Sequence, residues 1–481
     1  MTFRNLFLVG ARFAVFPAAI AAQYPPGQQG SPNMHVLSHV TVGSDYRLGD
    51  LDLEQELSRP YAYLAMRKDY AGFAVINLKD PARAFVMYHW KIENPELHMG
   101  GGGQDIEYFK THGRYYVMTA MQFQQGGPDV ALAGVVTDVT SLPDTTRIRE
   151  VRRFQVPDAP GGFHDVFPYK HSDGRVIMFA TSGGGGRIYD LDKFIAGDTT
   201  QGYVGIVPVP VPEGSQAAGT VRKSYHDFYA AYDPATHRDL FYGPGTGGYY
   251  IFDVTRPEEP KLVTSLTGIA GVTHGGHTFT PSPDGRYIVA ETEYQYQPLR
   301  FFDLKPGLDG TVRNISRPIG AWNANWKNIV HNHEVRWPYV FVSGWEDGLH
   351  VINMMDPTNP YTVGYYDTFD GPHAMTPGQA AVYVLPKGSA PTSSYAGNWG
   401  VISGTYGVDV RNADGLIVVS DMTTGFWAIK MDGFDGWNGH QWGMPNSSSA
   451  QDWDKGPDGA PGKVSIQDRS QALTYGSSAR R

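Results

Sequence analysis

One stretch, His331 to Thr368, constrains the fold more than any other: HNHEVRWPYVFVSGWEDGLHVINMMDPTNPYTVGYYDT spells out a complete antiparallel unit. Its spacing predicts a short first strand at Glu334-Val335-Arg336-Trp337 and a second from Pro338 to Ser343, rich in aromatic and β-branched residues. Gly348 stands where positive φ is cheap, so the chain pairs back as a third strand from Leu349 to Asn353. The Asp356-Pro357-Thr358-Asn359-Pro360 turn then leads to a fourth from Tyr361 to Tyr366. A sheet of this kind cannot bury both faces alone and requires neighbours like itself.

Those neighbours recur along the chain. The third strand, turn and fourth strand return as GFAVINLKDPARAFVMYHW from Gly72 and GYYIFDVTRPEEPKLVTSL from Gly248, with looser copies from Gly134, Gly186, Leu299 and Gly425. First-strand portions keep step at Gln55, Gln104, His164, His226, His277, His333 and Val408. Repeats of this kind predict an all-β fold, a seven-bladed β-propeller around a central channel. The last copy lacks a fourth strand, whereas SPNMHVLSHVTVGSDY near the start is a fourth strand with nothing before it. The N-terminal strand is therefore expected to complete the last blade, which removes two free sheet edges.

The predicted organisation is a propeller over residues 31–435 between two other segments. Residues 1–22 have a charged start, an apolar run and a small-residue end, the pattern of a secretory signal, although Arg12 interrupts it. That pattern predicts a periplasmic or extracellular protein. Residues 436–481 are rich in Gly, Asn, Ser, Asp and Gln without periodicity, which predicts a mostly disordered tail. No apolar run is long enough to predict a transmembrane span. Cysteine is absent, so disulfides, thiolate metal sites and cysteine nucleophiles are excluded. A formal charge of −9 gives no electrostatic reason to expect nucleic acid as a partner. The runs Gly100–Gly103 and Gly183–Gly186 open no predicted helix, so no nucleotide cofactor is expected.

The segment GLHVINMMDPTNPYTVGYYDT resembles the LVIVD repeat, whose unit is a Gly-led apolar strand, an Asp-Pro turn and a Val-Gly strand. The copies from Gly72 and Gly248 share the pattern, and the resemblance covers roughly Met34 to Phe434. It implies a β-propeller, often secreted or surface-attached, and says little about activity because propellers host unrelated functions.

Chemistry converges at one position of the repeat. Alignment of the first-strand portions puts His164, His226, His277 and His333 at equivalent points of four consecutive blades, followed by Asp165, Asp227, Thr278 and Glu334. Near the channel mouth, four imidazoles could hold one divalent transition metal such as iron, copper or zinc. Asp165, Asp227 and Glu334 are then candidates to fix the ring tautomers, each serving a neighbouring blade's histidine because adjacent strand residues point to opposite faces. His274, His331, His373 and His98 are candidates for the mouth or a gate. In site architecture alone the arrangement resembles the carotenoid-cleaving oxygenases and the copper-dependent methanethiol oxidases, without either family's extended motifs. It predicts an exported metal-dependent oxidase or oxygenase acting on an unidentified ligand at the propeller face.

Two further readings stay open. In WD-repeat propellers a recurring histidine bonds to Asp in a turn and binds no metal, and the histidines here could likewise satisfy buried backbone groups. They could also form a metal-free, pH-sensitive binding site. In either case the protein would be a non-catalytic binding or cell-surface scaffold.

Overall fold

The computed structural model describes residues 29–42, 48–67, 70–123, 126–220, 223–233, 235–272, 275–294, 296–326, 328–369, 404–442, 444 and 451–456. The strands form seven four-stranded antiparallel sheets. Blade 1 runs through Leu48–Leu53, Tyr61–Met66, Gly72–Asn77 and Phe85–Lys91, and blade 2 through Gly102–Thr111, Arg114–Gln122, Leu132–Asp138 and Arg149–Gln155. Blade 3 begins at Val166–Lys170, blade 4 at Tyr229–Asp233, blade 5 at Phe279–Pro281 and blade 6 at His333–Arg336. Blade 7 takes Thr405–Arg411, Leu416–Asp421 and Gly425–Met431 from the C-terminal end, and Met34–Val40 pairs with Gly425–Met431 as its outermost strand.

The closing strand shares a local feature with the outer strands of four other blades. In blades 1, 3, 4 and 6 the register between the third and fourth strands shifts once, between Val75 and Ile76, Ile188 and Tyr189, Ile251 and Phe252, and Val351 and Ile352. Met34–Val40 shows this shift against Gly425–Met431, between Val36 and Ser38. A bulge increases local twist, and this one recurs in the outer strands of these five blades.

Apolar faces of adjacent blades fill the spaces between them. Met118 and Met178 share a cluster that joins blades 2 and 3, Tyr63 and Val117 one that joins blades 1 and 2, and Val342 and Leu299 one that joins blades 5 and 6. Leu64 of blade 1 packs with Val418 of blade 7, so the ring is closed by the same kind of core as the other interfaces.

Parts of the C-terminal segment lie on this body. The Trp437 indole donates to the Trp337 carbonyl at 2.9 Å, and Gln451 Oε1 accepts from the Lys170 amide at 2.6 Å. Trp453 stands edge-on to Tyr108. Residues 457–481 and the signal-like residues 1–22 lie outside the described residues. Among the described residues no helix is long and apolar enough to cross a membrane.

Candidate metal centre at the channel mouth

Three hydrogen bonds determine which histidines are equivalent. The His226 amide donates to the Pro244 carbonyl, the His277 amide to the Glu291 carbonyl and the His331 amide to the Ser343 carbonyl. His277 and His331 each lie two residues before the inner-strand residue paired opposite the acceptor's predecessor: Phe279 pairs with Ala290, and His333 with Val342. In blade 6 the residue at the mouth is therefore His331, and His333 sits one pleat deeper. The same correction applies in blade 1, where the inner strand is Leu48–Leu53 and Gln55 lies beyond it, and in blade 7, where Tyr406 rather than Val408 occupies the equivalent place.

His164, His226, His277 and His331 follow one another around the mouth, with ring centroids 4.3, 4.0 and 4.7 Å apart. Each ring has its Nδ1 engaged. His164 Nδ1 is 3.0 Å from the Gln122 amide, His226 Nδ1 is 2.7 Å from Asp227 Oδ1, His277 Nδ1 meets Glu291, and His331 Nδ1 donates to the Tyr406 carbonyl at 2.6 Å. A side-chain amide can present oxygen as well as nitrogen, so Gln122 can hold the Nδ1–H tautomer as the other three partners do. That leaves Nε2 as the atom each ring could offer to a ligand, as metal-bound histidines do.

Two overlapping groups of these side chains could hold a metal ion, and His331 belongs to neither. His277 Nε2 is buried and has no hydrogen-bond partner, although Glu293 Oε2 is 3.7 Å away. Such an orphan is costly unless something binds it. Ligand atoms of His226, His277 and Glu293 lie within 4.8 Å of one another, as do those of His164, His226 and Asp227. Burial pushes His164 down to about 3 and His331 to about 4, and it holds His277 well below 6.5, with the charge of His226 adding to the effect on His164 and His277. These rings are neutral at pH 7, as ligation requires. Burial opposes a charge on His226, but the charge and hydrogen bond of Asp227 outweigh it and raise the ring. Burial would likewise raise Asp227, yet His226 and His277 hold it well below the ordinary carboxylate range. Burial lifts Glu293 to about 7, partly offset by His226.

A cavity of about 390 Å³ opens over these rings, lined also by Arg67, Gln104, Tyr225, Trp345 and Tyr406. Sequence reasoning passed over Glu291, Glu293, Gln122 and Arg67, which come from the far ends of second strands. Antiparallel pairing brings those ends beside the starts of the first strands, and the alternation Glu291-Thr292-Glu293 after Tyr287–Ala290 was the available signal.

The other candidates lie elsewhere. His333 Nε2 donates to the Val289 carbonyl at 3.3 Å inside the ring, a structural bond. Glu334 pairs with Arg336 at 2.7 Å and belongs to the lower channel. Asp165 accepts the Phe228 amide of the next blade at 3.0 Å, as Asp105 accepts the Val166 amide and Asp52 the Tyr108 amide. These carboxylates satisfy inner-strand N–H groups that have no further strand to pair with. Burial, reinforced by Asp105 and Asp227, raises Asp165 well above the ordinary carboxylate range. Of the three acidic candidates Asp227 alone touches a mouth histidine, and that histidine is its own chain neighbour rather than one in an adjacent blade. His98 is held in a loop by Asp129 and the Glu93 carbonyl, each at 2.8 Å, and does not line the cavity. His274 and His373 lie outside the described residues.

Comparison with protein-family models and with curated proteins finds no match. Among solved structures, Raptor of Chaetomium thermophilum is similar with a TM-score of 0.50 at 12% identity. The alignment covers 82% of this chain and 29% of that one. At that identity the likeness bears on the fold alone.

Proposed function

We propose that the protein holds a divalent transition metal at the channel mouth through Nε2 of His164, His226, His277 and His331, with Glu293 beside them, and uses it in oxidase or oxygenase chemistry. The observation that carries this reading is the common pattern of the rings: every Nδ1 has a partner, and the buried Nε2 of His277 has none. Imidazoles with a carboxylate suit iron, copper or zinc, the ion displacing the proton that Asp227 favours on His226. When bound, such an ion would activate dioxygen or polarise a substrate oxygen. The chain's own residues orient the rings through Gln122, Asp227, Glu291 and the Tyr406 carbonyl, while Trp345 and Tyr406 wall the cavity.

Copper(II) titration followed by electron paramagnetic resonance tests the reading. The expected spectrum is a single species with hyperfine splitting from several nitrogens, lost in His277→Ala. A spectrum free of nitrogen splitting, or unchanged in that variant, contradicts it and leaves a binding scaffold as the better account.

Two further proposals rest on sequence. The resemblance of the blade 6 segment to LVIVD repeats supports membership of that repeat group. The signal-like start and the absence of cysteine support export, which N-terminal sequencing of the mature protein tests.

A further inference from the structure

Arg67 follows the second strand of blade 1, Tyr61–Met66, and lines the cavity with the mouth histidines. Its guanidinium carbon is 5.7 Å from the centre of the Tyr406 ring. Its Nε is buried without a hydrogen-bond partner, and among the described residues its side chain enters no ion pair. A guanidinium carries five donors in a planar fork that matches a carboxylate, and one left unpaired at a cavity wall points to a ligand. Other polar groups surround the same space. Gln104 Nε2 donates to the Tyr406 hydroxyl at 2.6 Å, which leaves the phenolic hydrogen for another acceptor, and Gln104 Oε1 is buried without a partner. Arg67 is close enough that its charge disfavours protonation of His164 and His331, so it faces the same centre as the rings.

We infer that Arg67, with the Tyr406 hydroxyl, binds the carboxylate of a small anionic substrate and so presents the rest of that molecule to the mouth histidines. This rests on the metal-centre reading above and adds its substrate class. The cavity is at the small end of the range for ligand sites, which suits a molecule no larger than a substituted benzoate. Arg67 is therefore a specificity residue, distinct from the metal-holding groups.

The test uses full-length protein loaded with zinc, its metal content measured, and titrated calorimetrically with acetate and benzoate and with the neutral acetamide and benzamide. The expected result is at least tenfold tighter binding of a carboxylate than of its amide. Arg67→Gln should abolish that preference with zinc content unchanged, and Arg67→Lys should restore part of it by charge without the planar fork. If neither carboxylate binds saturably, or Arg67→Gln keeps the preference, the inference is overturned while the metal centre stands. A parent protein that takes up no zinc, copper or iron overturns the metal reading itself, and this inference with it.

Discussion

His226 and Asp227, neighbours in the chain, bond to each other: His226 Nδ1 lies 2.7 Å from Asp227 Oδ1. The other carboxylate oxygen reaches the Thr278 hydroxyl of the next blade at 3.3 Å, so one acidic side chain orients a mouth histidine and links two blades. Asp227→Asn should keep the shape and lose the charge. Competition with a chelator should show metal binding about 10- to 100-fold weaker, the usual cost of removing such a partner, with little change in the fold by circular dichroism.

Blade 6 offers a direct contrast between two histidines two residues apart. His331→Ala should lower bound metal, because it removes a ring from the mouth. His333→Ala should leave metal content unchanged and lower stability by roughly 1–3 kcal/mol, the cost of leaving a buried polar partner unpaired. Elemental analysis and thermal melts of the two variants separate the roles.

These histidines also mark the limit of what the sequence could tell. The blades were legible because each third strand is apolar and ends at Asp-Pro or a comparable turn, and the unpaired strand at Met34–Val40 matched the strand missing at the other end. His331 and His333 differ by one full strand period, so they point the same way and pattern alone cannot say which is nearer the mouth. The hydrogen bond from the His331 amide to Ser343 decides it, and that bond depends on pairing between strands. Glu291, Glu293 and Arg67 were hidden for a related reason, since they reach the site from strand ends that no first-strand alignment includes.

His171 should confer a pH dependence far from the mouth. The ring is buried, with Nδ1 3.0 Å from Asp173 and Nε2 3.4 Å from Asp239 and 3.1 Å from the Val254 carbonyl. Burial opposes its charge, but the Asp173 hydrogen bond and the Asp239 charge outweigh it and raise the folded value above 6.5. The stability this contributes is fully present below 6.5 and is lost as pH rises through the folded value. The unfolding free energy of the parent should fall over that window, by about 1.4 kcal/mol for each pH unit by which the two values differ. His171→Gln should flatten the slope, and an equal slope in both proteins would refute the assignment.

Arg336 lies beside Glu334 and Asp409 of the lower channel. It is fully buried and bonds to Glu334, Asn412 and the Val410 carbonyl at 2.7, 2.6 and 3.2 Å. Arg336→Met strips that cation from beside Glu334 and Asp409, so urea unfolding should show a loss of ~3–5 kcal/mol.

Metal content tests the account's central claim most directly. Protein purified without an affinity tag should carry about one equivalent of iron, copper or zinc, as expected for one cluster of ligands. The double variant His226→Ala/His277→Ala should be folded and carry none. Parent protein that holds no metal even after incubation with all three ions, or a double variant that retains it, would contradict the metal centre.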